Sequence, residues 1–392
     1  MKNFFKIMSF VALASLATGC ISVDETDDNA NANTGGGTTP PVTGATIDPT
    51  NFQGSVVTSL SLQANVIYKL TGPLTIEDGA TLNIPAGTRI EATGGTSAYI
   101  VVAQGGKLNV SGTSSEPVIM TSANANPAPG NWGGLVICGK APINSAASAS
   151  AEVSGLTYGG NIPTDNSGSI RYLRIEYAGA IYNANKEFNS LSLFGVGSGT
   201  TLEYIQAYRG SDDGFEFFGG TVNTSNLIST YNEDDLFDWT EGWSGTNTNW
   251  YGKQEGTSNR GIEADNLEAN FDATPIANPT ITNITLVGVG AASGEPDAIK
   301  LRRGTKAIFS NVVLDNFTTG FNIEHDQTLA FIPASLKANN VTLTNVVSAA
   351  KGKNTAGNSV DVSNAIEITT TATGAGNGTA APAWANGWAK FN

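Results

Sequence analysis

The segment Asp212-Asp213-Gly214-Phe215-Glu216-Phe217 is matched, 22 positions later, by Asp234-Asp235-Leu236-Phe237-Asp238-Trp239. Five positions correspond in kind at one fixed offset, so the chain passes over its own path about every twenty residues. A period this short holds a few brief strands and their turns, which is one circuit of a parallel β-solenoid. Strands of successive circuits lie about 4.8 Å apart. Phe215 then lies under Phe237 and Phe217 under Trp239, facing inward, while Glu216 and Asp238 alternate outward. Weaker repeats agree. Gly79-Ala80-Thr81-Leu82-Asn83-Ile84 recurs as Gly105-Gly106-Lys107-Leu108-Asn109-Val110, and a polar-Asn-apolar-apolar unit recurs at Asn226, Asn283, Asn311 and Asn345. From about residue 46, apolar runs of four to six residues alternate with Gly, Asn, Asp, Ser and Thr, and no long segment has helical spacing. The fold expected is all-β: one right-handed parallel β-helix over residues 46–392, of roughly a dozen rungs. A β-sandwich fits less well, because hairpin turns are few and the loops long. A propeller blade needs more than 22 residues.

Composition removes whole classes of function. The chain has 34 acidic against 20 basic residues, a net charge of −14, which disfavours nucleic acid as a partner. One histidine and two cysteines cannot build a His-based metal site, a zinc knuckle or a disulfide framework.

The N-terminus reads as an address. A basic start, Met1 to Lys6, precedes the apolar run Ile7–Leu16, which is too short to span a bilayer and suits a signal peptide over residues 1–19. It ends in Leu16-Ala17-Thr18-Gly19-Cys20, which resembles the bacterial lipobox, with Ala17 where Leu is more usual. The resemblance implies that the Cys20 sulfur receives diacylglycerol and, with palmitate-type acylation, anchors the chain to the outer membrane. Residues 20–45 form an acidic, low-complexity tether. Its Asp24, Glu25, Asp27 and Asp28 are similar to the export signal of Bacteroidota surface lipoproteins, and read equally as a solvated leash. Outer-membrane attachment facing the cell exterior is the location expected.

Within the body, residues 68–92, 105–122, 130–144, 170–179, 202–223, 234–239 and 301–305 resemble a group of β-helical surface or secreted proteins from Bacteroidota and other Gram-negative bacteria, distantly similar to the pectate-lyase-like superfamily. The resemblance implies fold and location, and no particular activity for the closer group. No C-terminal sorting domain is evident around Trp384–Trp388, consistent with an anchor at the other end.

Three surface features carry candidate chemistry. If the acidic rungs stack, Asp212, Asp213, Glu216, Asp234, Asp235 and Asp238 crowd into two layers, and such carboxylates either hold protons or recruit a cation. Calcium, with six to eight oxygen ligands and irregular geometry, is the natural candidate; the competing role is turn capping by Asp side chains. Trp243, Trp250 and Tyr251, beside Asn247, Asn249, Lys253 and Gln254, suit an aromatic platform for sugar rings, or equally the packing of a loop. Arg302 and Arg303, after Asp297 and Lys300, could with Asp213 imitate the base and metal of polysaccharide lyases of the distant superfamily, although arginine is a difficult base and ion pairing is its commoner use. His325 reads as a polar corner, Cys138 as a buried small hydrophobe.

The functional expectation is a non-catalytic binding or scaffold module for glycans or surface proteins. Its rivals are a calcium-assisted polysaccharide lyase or glycoside hydrolase, and a structural adhesin or accessory subunit of a membrane complex.

Overall fold

The computed structural model describes residues 48–184, 186–256 and 258–392. The leader, Cys20 and the whole of the tether lie outside the described residues. From Phe52 onward the chain is a parallel β-helix in which 24 strands form one hydrogen-bonded system, with the right-handed crossover that parallel strands favour. One face is a stack of eleven strands, from Phe52–Val56 to Ser348–Lys353. The 22-residue repeat is two neighbours in this stack: Phe215 pairs with Phe237, Glu216 with Asp238 and Phe217 with Trp239. The earlier repeat also holds, with Leu82 on Leu108 and Asn83 on Asn109.

The other two faces are the two halves of longer strands such as Thr201–Tyr208 and Asn223–Thr230. Each long strand bends at one left-handed residue: Tyr172, Tyr204, Asn226, Asn249, Asn283, Asn311 and Asn340 all have φ between 52° and 62°. Asparagine adopts this conformation more readily than most residues. The amides also join rung to rung, with Asn311 Nδ2 donating to Asn283 Oδ1 at 2.8 Å and Asn283 Nδ2 to Asn249 Oδ1 at 2.9 Å. Asn345 does not continue this ladder. Ser310 pairs with Asn339 and Val312 with Val341, so Asn340 stands opposite Asn311. Asn345 belongs to a second left-handed corner with Asn316, where its Nδ2 donates to Asp315 Oδ1 at 3.0 Å.

Inside the solenoid, like stacks on like. The rings of Phe215 and Phe237 lie 5.5 Å apart, Phe237 and Trp250 4.4 Å, and Phe217 and Trp243 4.0 Å, all near-parallel. Trp239 is in backbone register with Phe217, but its ring tilts toward Trp243 and donates Nε1–H to Thr305 Oγ1 at 3.0 Å.

Two covers narrow the outer surface. The insertion after Leu135–Cys138 lays Ile143, Ala151, Val153 and Tyr158 over the outward apolar residues Val136, Cys138, Phe194 and Phe218. Cys138 is therefore buried, and burial pushes its thiol pKa up to about 12, which fits the inert role expected. Elsewhere the segment 374–392 runs along the stack against its chain direction. Trp388 packs on Tyr172 and Tyr204, and Lys390 N–H donates to Gln206 Oε1 at 2.8 Å. Tyr251 O–H donates to Thr379 O and Ala375 N–H to Thr285 Oγ1.

Replacing Phe237 by Ala removes a ring that contacts both Phe215 and Trp250. The expected loss is about 3–5 kcal/mol of stability, read from urea unfolding of the variant beside the parent.

Candidate metal centre

The carboxylates occupy the outer column of the eleven-strand face at the point where the insertion's cover ends. Along that column the register runs Val136, Ser192, Glu216, Asp238, Glu263, Lys300, Asn322, Lys351. Strand alternation puts Glu216 and Asp238 outward because Phe215, Phe217, Phe237 and Trp239 must face in. Asp213 and Asp235 sit at the turn entering each strand and are almost fully buried, at 6% and 3% exposure. Their first role is local. Asp213 Oδ1 accepts Asp235 N–H at 2.9 Å, and Asp235 Oδ1 accepts Arg260 N–H at 2.6 Å. The turn-capping role is thus real, and the clustering of acids is real beside it.

Three overlapping triads result: Asp212 with Asp213 and Asp234, Asp213 with Glu216 and Asp238, and Asp235 with Asp238 and Glu263. In each, one oxygen per residue lies within 4.8 Å of the others. Oxygens bound to calcium at 2.3–2.6 Å stand at most about 5 Å apart, so each triad can converge on one such ion. The cations in contact are few. Arg260 pairs with Asp235, Glu263 and Glu295, and Arg302 with Glu263 and Asp265. Asn189 Nδ2 donates to Glu216 Oε2 at 2.5 Å, and Asn259 Nδ2 donates to Asp234 Oδ1.

Electrostatics follow from this crowding. Burial, then the neighbouring Asp234, raises the pKa of Asp212 to about 7. Burial, then Glu263, raises Asp235 to about 8. Burial also pushes Asp213, Glu216 and Asp238 well above the usual carboxylate range, with Asp212, Glu152 and Glu216 respectively as the next causes. Beside the first triad opens a polar cavity of about 450 Å³, lined by Glu152, Glu187, Asp212, Glu233 and Asp234, with Lys186 as its one cation.

All six acids expected as ligands therefore come together. Glu263 and Arg260 were not anticipated. Glu263 repeats the inward–acid–inward pattern in Ile262-Glu263-Ala264, but after a longer 25-residue circuit. Arg302 and Arg303 also reach the site's margin, as ion-pair partners rather than as a free base. Arg302 Nε donates to Asp265 Oδ1 at 2.8 Å, and Arg303 donates to Asp265 Oδ2 at 2.5 Å and Glu268 Oε1 at 2.7 Å. Lys300 is the less encumbered base: it follows Glu263 in the column, its nearest acid is Glu295 at 3.8 Å, and burial, then Arg260, lowers its pKa. His325 occupies a left-handed corner, where its Nδ1 accepts Arg303 N–H at 3.1 Å.

The aromatic platform does not form on the surface. Trp243 and Trp250 point into the solenoid and are wholly buried; their Nε1–H groups are taken by Val222 O and Thr224 Oγ1. Tyr251 faces outward but lies beneath the 374–392 segment, against Phe391. Lys253 is half-buried, with Nζ 5.8 Å from the Tyr231 ring. No stacking surface for a sugar remains at these residues.

The raised pKa values set a pH dependence. A carboxyl whose pKa is higher in the folded than in the unfolded state stabilises the fold below the unfolded value and loses that contribution as pH rises through the folded value. With chelator present, the melting temperature should fall as pH rises from about 4 to about 8. Asp213→Asn should flatten that fall, and differential scanning calorimetry at three pH values checks both.

A family model described as a pectate-lyase like beta helix domain matches residues 54–389. No curated protein and no solved structure matches the chain.

Proposed function

Because the chain belongs to the pectate-lyase-like β-helix family, we propose that it is a lipid-anchored, surface-facing binding module that engages acidic polysaccharide through calcium held on its acidic rungs. One observation carries this reading: seven carboxylates, from Asp212 to Glu263, occupy three successive rungs, with two arginines as their contacting cations. Asp213, Glu216 and Asp238 would hold one ion, with Asp212 and Asp234 or Asp235 and Glu263 beside them. When bound, the ion supplies positive charge that can neutralise a ligand carboxylate. Lys300 and Lys351, further along the same column, extend that attraction to the next charged sugar.

A second reading, a calcium-assisted lyase, is favoured by Lys300. Its lowered pKa and its place beside Glu263 suit a base that abstracts a proton near a neutralised carboxylate. Arg302 and Arg303 support catalysis poorly, since each is held by two acids.

Polygalacturonate titrated into the protein by calorimetry should bind with calcium present. Binding should vanish with chelator and fall at least tenfold in Asp213→Asn. Binding that ignores chelator overturns the reading. Growth of the unsaturated-uronide absorbance that Lys300→Met abolishes moves the assignment to the lyase. The location has its own check: Cys20→Ser should shift the expressed protein from the detergent phase to the aqueous phase of a Triton X-114 partition.

A further inference from the structure

Two outer faces of the middle rungs are occupied, one by the acidic column and its neighbouring cover, the other by the segment 374–392. The third is bare and has a different chemistry. On it the first halves of the long strands present two outward columns in strict register. Thr201, Asn223, Thr246 and Thr280 form one, with Asn223 Oδ1 accepting Thr246 N–H at 2.7 Å. Glu203, Ser225, Thr248 and Thr282 form the other. The hydroxyls of Thr201, Ser225, Thr246, Thr280 and Thr282 make no hydrogen bond to another protein group among the described residues. Glu203 is the single charge in the two columns, and Arg171 pairs with it at 2.9 Å.

These residues are not a flat strip. The loop carrying Ser198 and Thr200 rises beside the first strand, and together they enclose a trough of about 330 Å³ crossing three rungs. Its donors and acceptors are fixed on a backbone lattice about 4.8 Å across the strands and about 7 Å along them. In a chain of net charge −14, this concavity carries one charge, Glu203, already paired with Arg171, and the rest of its lining is uncharged.

We propose that this trough binds an uncharged polysaccharide laid across the rungs, its ring hydroxyls hydrogen-bonding to the free hydroxyls of Thr201, Ser225 and Thr246 and to the side chains of Asn223 and Thr248, the last of which meets Asn249 Oδ1 at 3.4 Å. Sugars suit it because each residue of such a chain offers several hydroxyls that donate and accept, matching free hydroxyls that do the same. The binding is independent of the acidic column, so its success or failure is separate from that of the calcium reading.

The test uses the purified full chain and four neutral hexasaccharides: cello-, xylo-, manno- and laminari-, titrated by calorimetry with EDTA present throughout. At least one should bind. That binding should persist in Asp213→Asn and be lost in the double variant Ser225→Arg/Thr248→Arg, whose melting temperature is checked against the parent. The milder Ser225→Ala/Thr248→Val should weaken it at least fivefold, which keeps the test valid if the bulky double variant misfolds. No binding by any of the four, or binding that both double variants retain, overturns the proposal. So does inhibition of ice recrystallisation without saccharide binding, which would assign the hydroxyl lattice to water.

Discussion

The structure depends on one constraint, that backbone hydrogen bonding in a parallel solenoid holds consecutive rungs in register about 4.8 Å apart. Once Phe215 is paired with Phe237, every neighbour is paired too, and the chain has no freedom to slide one row without the others. A slip of one residue would turn the aromatic interior outward and the acids inward. The buried rings therefore decide where the carboxylates stand. Favourable stacking of Phe215, Phe237 and Ile262 enforces unfavourable stacking of Glu216, Asp238 and Glu263 on the same strands.

Strand parity made this much legible in the sequence. The inward and outward sets of the 22-residue repeat, and the gathering of six acids, follow from alternation and a period alone. What failed was of another kind. Tyr251 does lie on an outward position, as alternation requires, and is nonetheless covered, because a segment more than a hundred residues later folds back upon it. Trp250 is inward by the same alternation, while Trp243 follows the strand and turns in against Phe217. Alternation assigns a face to a residue; it says nothing of whether another part of the chain lies on that face.

Asn345 illustrates the second limit. Its Asn-Val-Val context is indistinguishable from that of Asn311, and both residues take the left-handed conformation. The distinction lies in position along the rung. Asn311 bends a long strand in its middle, whereas Asn345 ends one, after Thr344. A local motif reports the backbone conformation it suits, and two corners of one solenoid ask for the same conformation. Glu263 escaped for a related reason, since circuits vary in length as loops are inserted between rungs.

Repulsion in the acidic column has three possible remedies: protonation, an inserted cation from the chain, or a cation from solution. The column displays the second at one end only. Arg260 and Arg302 meet Glu263, and Lys300 follows directly. At the other end Glu216 meets the amide of Asn189, and Asp212 opens on a cavity whose lining is mainly acidic. The chain thus meets its carboxylates with arginines where the next rungs are basic and, where the cover ends, leaves them to protonation or to a cation from solution. A purely structural column would need no such asymmetry, since an arginine in the register of Ser192 would serve Glu216 as Arg302 serves Glu263. Carboxylates that no arginine meets, beside a cavity of about 450 Å³ lined mainly by acids, are what supports the proposal of a cation from solution at this end.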